Sequence, residues 1–86
     1  MVELVFEKTS CACPEQYDVF KGGKQVGYIR LRHRILSCRY PNNHGKTIYT
    51  HQFEDEWKGC FDNEEERTFY LNECKNALLK EIKENK

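Results

Sequence analysis

Apolar residues recur in steps of two over the first 53 positions and in steps of three and four beyond position 62, which divides the chain into a β-rich part and one helix. Val2, Leu4 and Phe6 alternate with Glu3 and Glu7, the pattern of a short edge strand with one face on a core. A loop through Thr9 to Pro14 follows. Residues 17–20 and 25–32 flank Lys21-Gly22-Gly23-Lys24, and Gly-Gly between two strand-like runs predicts a tight hairpin turn with positive φ. A Gly22-Gly23 loop sets Val19 opposite Val26, Tyr17 opposite Tyr28 and Glu15 across from Arg30 on one side, leaving Phe20, Ile29 and Leu31 on the other. Strand character continues to Tyr40, but one strand over 25–40 would be about three times the usual length, so a break is expected near His33-Arg34. Pro41-Asn42-Asn43-His44-Gly45 is the next turn, and residues 46–53 are a further β-branched and aromatic strand.

An irregular acidic stretch over 54–62 leads into a helix expected over 63–83. Asp62 is positioned to cap it, with Glu65 reaching back as the partner in a capping box. Tyr70, Leu71, Cys74, Ala77, Leu78 and Ile82 form one apolar stripe to lay on the sheet. Glu64, Glu65 and Glu66 at the start and Lys80 and Lys83 near the end match the helix dipole. The expected architecture is α+β: a single domain over 1–86, with the sheet in 2–53 as an antiparallel meander of four to five strands and one C-terminal helix packed on one face.

Composition adds limits. Eighty-six residues leave no room for a second core, and Leu, Ile, Val and Phe together number only 19. The balanced charge nevertheless removes the self-repulsion that keeps poorly hydrophobic chains unfolded. No apolar run approaches the ~18 residues needed to cross a bilayer. The acidic start also lacks the basic-then-apolar profile of a secretory signal, so a cytoplasmic protein with no membrane partner is expected. In that setting the five cysteines read as free thiols. Cys11 and Cys13, completed by His33, His44, His51 or Cys60, supply zinc-type donors. Structural zinc sites pair two short cysteine repeats, however, and the other cysteines here stand singly, so no metal and no cofactor is expected.

The net charge of zero conceals sorting. Residues 1–18 carry −3, residues 19–53 carry +7 without one carboxylate, residues 54–66 carry −6 and residues 67–86 carry +2. Tyr17, Tyr28, Arg30, Arg32, Arg34, Arg39 and Lys46 form a candidate anion- or partner-binding set, because guanidinium forks beside aromatic planes hold phosphates bidentately and stack bases. The competing reading has the arginine stems covering a solvated sheet face and pairing internally with the acidic segment. Glu54, Asp55 and Glu56 with Trp57 are a second candidate partner surface, imitating phosphates, against the favoured reading of a solvated loop leading into a helix N-terminus. Trp57 itself is expected as a lid over the thin core, with an interface anchor as the alternative. No nucleophile elbow, Walker loop or H-E-x-x-H occurs, and the helix-start carboxylates have no apolar pocket to tune them, so no enzyme is expected and no catalytic residue is assigned.

Residues 23–33 (Gly-Lys-Gln-Val-Gly-Tyr-Ile-Arg-Leu-Arg-His), Gly59-Cys60-Phe61 and the helix opening Glu66-Arg67-x-x-Tyr70-Leu71 resemble small proteins encoded by phages and prophages of Gram-positive bacteria. That pattern places Gly after Leu-Arg-His, where this chain has Arg34. The resemblance implies a non-enzymatic inhibitor of a host defence, such as a CRISPR effector or a nucleotide-signalling system. Its partner would be a host protein or nucleoprotein complex. A narrower likeness, carried by Arg30, Arg32, Arg34 and Gly59-x-Phe61, is to the sheet-type DNA-binding domains of plant ethylene-response factors and phage integrase arms, and implies arginines in a major groove. The expected function is inhibition by macromolecular binding. Direct DNA or RNA binding through the sheet is one alternative, and nucleotide sequestration by an oligomer such as a dimer is another.

Overall fold

Strands β1 (Val5–Lys8), β2 (Glu15–Lys21), β3 (Lys24–Arg32), β4 (Ile35–Tyr40) and β5 (Lys46–Gln52) pair antiparallel in sequence order, and helix α1 (Glu64–Glu84) crosses β3, β4 and β5 on one face. The structure is a computed structural model and describes residues 4–9 and 14–84. This is the α+β meander with one C-terminal helix that the periodicity predicts. No helix among the described residues is long and apolar enough to cross a membrane.

Val19, Ile29, Leu31, Leu36 and Cys38 from the sheet meet Cys74 and Leu78 of α1, all with essentially no solvent exposure. Helix and sheet approach closely because β3 carries Gly27 at the crossing. A Cβ there would stand 2.7 Å from Leu78 Cδ1.

The Gly22-Gly23 turn forms as expected, with φ of 58° and 83°, but the register it was expected to set does not. Phe20 pairs with Gln25 while Val19 pairs with Gly27, so Val26 is an extra residue in β3. A one-residue slip exchanges the two faces of a strand. Tyr17 therefore lies opposite Ile29, and Glu15 opposite Leu31, all turned toward the helix, while Phe20, Tyr28, Arg30 and Arg32 face outward. A second bulge inserts Ile48 into β5 and brings both Ile48 and Tyr49 against the core.

The helix cap is also displaced by one residue. Glu66 N–H donates to Asn63 Oδ1 at 2.8 Å, and Asp62 N–H donates to Glu66 Oε1 at 2.9 Å, so Asn63 and Glu66 take the roles expected of Asp62 and Glu65.

Two charged groups are buried in this small core. Glu15 is 1% exposed and receives the Tyr17 hydroxyl and Arg67 Nε (2.8 Å) on Oε2, with Phe61 N–H (3.0 Å) and Arg67 Nη2 (3.2 Å) on Oε1. Burial alone would raise its pKa, but the donors from Arg67, Tyr17 and Phe61 together outweigh it and hold the carboxyl below its ordinary value of 4.5. Lys58 is 6% exposed, with Nζ 2.8 Å from Glu66 Oε1, 3.1 Å from Asp62 Oδ2 and 5.0 Å from the Phe53 ring centroid. Desolvation disfavours its charge, yet the two carboxylates raise its pKa on balance.

The cysteines correct one expectation. Cys60 is disulfide-bonded, whereas Cys38 and Cys74 are free and buried. Cys11 and Cys13, weighed as zinc ligands, lie outside the described residues.

Two predictions test this packing. Because the folded-state pKa of Glu15 is lowered, its contribution is present above 4.5 and is lost as pH falls from there through the folded value. Urea melts from about pH 7 to about pH 3 are expected to show that loss in the native protein and a smaller one in Glu15→Gln. At neutral pH the same variant should cost about 1.5–3 kcal/mol, the scale of hydrogen bonds to a charged group, because Arg67 keeps Glu64 as its ion-pair partner. Gly27→Ala forces Leu78 from its packed position and should cost about 1–3 kcal/mol.

Candidate nucleic-acid interface

The outward face of β3–β5 is ordered by cross-strand register. In one row Gln16, Arg30, Ser37 and Thr50 stand opposite one another; in the next come Asp18, Tyr28, Arg39 and Thr47. Arg32 opposes Ile35 and extends the basic column toward the β3–β4 turn. Arg30, Arg32 and Arg39 with Ser37, Thr47 and Thr50 line a shallow depression of about 420 Å³. The face is asymmetric, since its β1–β2 half carries Glu7 and Asp18.

The sorted charges do not cancel each other across the molecule. Among the described residues, no carboxylate lies within ion-pair distance of Arg30, Arg32, Arg34 or Arg39. The acidic segment turns its charge elsewhere: Asp62 and Glu66 to Lys58, and Glu64 to Arg67. Asp18, the β2 acid on this face, accepts from Gln25 Nε2 at 3.1 Å. Two neighbouring groups are held in place, Arg39 by donating from Nη1 to the Asn43 carbonyl at 2.8 Å, and Tyr28 by donating from its hydroxyl to Gln16 Oε1 at 3.0 Å. A partly fixed guanidinium group, as at Arg39, loses less entropy on meeting an anion.

Two members of the expected anion-binding set, and Trp57 of the acidic loop, are placed differently. Tyr17 is 5% exposed and points at Glu15 on the helix side, a consequence of the β3 bulge. Lys46 pairs with Glu81 of α1 at 2.8 Å, which draws it from the basic face. Trp57 is 84% exposed and covers nothing, so the lid is overturned. That end of the core is closed instead by Phe61, 6% exposed, whose ring stacks on Tyr70 and meets Phe53 edge-on, with buried Lys58 over Phe53. Trp57 stands in an exposed loop with Glu54, Asp55 and Glu56.

Arg34 occupies the break expected near His33-Arg34, in a two-residue hairpin turn where both residues have positive φ, 49° and 63°. Such turns favour Asn-Gly, and each non-glycine residue there costs about 1–2 kcal/mol. Hydrogen bonds hold the strained turn: Arg34 N–H donates to the Lys58 carbonyl at 2.8 Å, and Phe53 N–H donates to the Arg34 carbonyl at 2.7 Å. Strain of this kind concentrates at functional sites, and here it adjoins the basic column.

The hydroxyls of Ser37, Thr47 and Thr50 escaped sequence reasoning. The alternation Ile35, Ser37, Arg39 in β4 carried the signal, since it puts the serine on the arginine face. Relief of strain predicts that Arg34→Gly raises stability by about 0.5–1 kcal/mol in urea unfolding, the αL cost less the added chain entropy of glycine.

Set against known proteins, the chain matches no family model, no curated protein and no solved structure.

Proposed function

We propose that this chain is a non-enzymatic binding protein that takes the phosphates of a nucleic acid on the outward face of β3 and β4. The observation that carries the reading is the set Arg30, Arg32 and Arg39 on one face with no carboxylate partner among the described residues. An internally neutralised sheet would have supported the competing reading, in which the arginines pair with the acidic segment. Three guanidinium groups beside hydroxyl donors suit bidentate phosphate recognition, and Tyr28 adds an aromatic plane. In the setting the phage likeness implies, such binding inhibits a host defence by occupying its nucleic acid or nucleoprotein.

A second reading has its own observation. Trp57, 84% exposed among three acids, has the form of an interface anchor for a basic protein surface. A cytoplasmic location fits the Cys60 disulfide poorly, because cytosolic thiol pools keep cysteines reduced.

A labelled oligonucleotide titrated at about 50 mM salt and upward tests the main reading. Three phosphate contacts predict a log–log salt slope of about −2 to −3, shallower than a long basic groove gives. Arg30→Glu combined with Arg32→Glu is expected to abolish binding with the fold unchanged, while Trp57→Ala leaves it intact. The opposite pattern, with Trp57→Ala alone losing a protein partner and neither variant affecting nucleic acid, transfers the function to the acidic loop.

A further inference from the structure

The arginines form a cluster rather than a track, and that difference selects a ligand. Resting on the reading of this face as a phosphate binder, we infer that it holds a terminal phosphomonoester, centred over Ser37, in preference to the phosphodiester backbone.

Ser37 is directly opposite Arg30, two positions from Arg39 along β4, and diagonal to Arg32 through the Arg32–Ile35 pair. Directly opposed positions lie about 5 Å apart and diagonal ones about 7–8 Å, distances that arginine side chains span. All three arginines line the depression of about 420 Å³ around Ser37, with Thr47 and Thr50 also lining it, and Arg39 does so while its Nη1 donates to the Asn43 carbonyl. Across the strands the patch ends abruptly, while along them it runs on to His33 in the β3–β4 turn. Toward β1 and β2 it meets Gln16, Asp18 and Glu7, and on β5 the outward positions are Thr47, Thr50 and Gln52, none of them basic.

The three arginines lie on two strands and extend over about 13 Å, from the Tyr28–Arg39 row to the Arg32–Ile35 row, a span with room for few backbone phosphates. Ser37 is the position about which the three positive charges are grouped. A phosphomonoester carries about −1.5 to −2 at neutral pH and three strong acceptor oxygens, against a single negative charge on a diester. Three guanidinium groups and a central hydroxyl match the former. The phosphomonoester has two natural carriers, the 5′ end of a nucleic acid strand and a free nucleotide, and both present the same group.

The test compares one single-stranded oligonucleotide in two forms, with a 5′-phosphate and with a 5′-hydroxyl, by fluorescence anisotropy on the full chain, with a nucleoside 5′-monophosphate as competitor. The phosphorylated strand is expected to bind at least about tenfold more tightly, the factor that one additional charge-assisted contact supplies. Ser37→Ala should narrow that preference severalfold, and Arg39→Gln, next to it on the same face of β4, should do the same if the serine variant folds poorly. Equal affinity for the two strands overturns the terminal-phosphate site and leaves the wider nucleic-acid reading standing. If neither strand binds but the monophosphate does, the phosphomonoester site holds and the nucleic-acid reading falls. Absence of binding by all three overturns both.

Discussion

Glu15 is shut away from water and remains ionised because four hydrogen bonds converge on it, two of them from Arg67. The carboxylate sits at the start of β2, Arg67 in the first turns of α1, and Phe61 in the segment between sheet and helix. One interaction thus joins three parts of the chain that are far apart in sequence. Glu15 N–H also donates to the Gly59 carbonyl at 2.7 Å, so the incoming strand is tied to the same segment by backbone as well as side chain. A helix anchored in this way has little choice of face. It must lie on the side of the sheet to which Glu15 points.

The exposure of the arginines follows from that anchoring. Residues in phase with Glu15 are Tyr17 and Val19, and their cross-strand partners Leu31, Ile29 and Gly27 go under the helix. Arg30 and Arg32, one position out of phase, must go to the other side. Gly27 then permits the close approach that Leu78 makes, and the helix covers β3, β4 and β5 from below without reaching the opposite face. The basic block is left facing solvent as a result of where a buried acid found its partner, with no covering element among the described residues.

The acidic segment behaves differently from its composition. Lys58, its one base, turns inward, collects Asp62 and Glu66, and lies over Phe53, which neutralises the part of the segment nearest the core. Its carbonyl meanwhile holds the strained Arg34 turn. Glu54, Asp55 and Glu56 are left outside with Trp57, near the end of the sheet where the basic column begins. The two blocks of opposite charge are therefore neighbours through the backbone without being ion-paired through their side chains.

The strands, the Gly-Gly turn, the break at His33-Arg34 and the amphipathic helix were legible in the chain, because period and turn chemistry are local properties. The order of charges along the sequence was equally legible, and it pointed to a wider set, Tyr17, Tyr28, Arg30, Arg32, Arg34, Arg39 and Lys46, of which the register places Arg30, Arg32 and Arg39 on one face. The faces were not. A bulge adds one residue to β3 with no change in the alternating pattern around it, and that single residue removed Tyr17 from the arginine face and buried it beside Glu15. Nor did the chain reveal that Lys46 would leave for Glu81, that Trp57 would stand exposed, or that Ser37 would lie at the centre of three arginines. Those facts depend on which distant groups meet, and Glu15 meeting Arg67 across 52 positions is an energetic choice made only when the helix docks. Sequence alone determined the elements and the charge each would carry; tertiary structure decided which charges were satisfied inside and which were left for a partner.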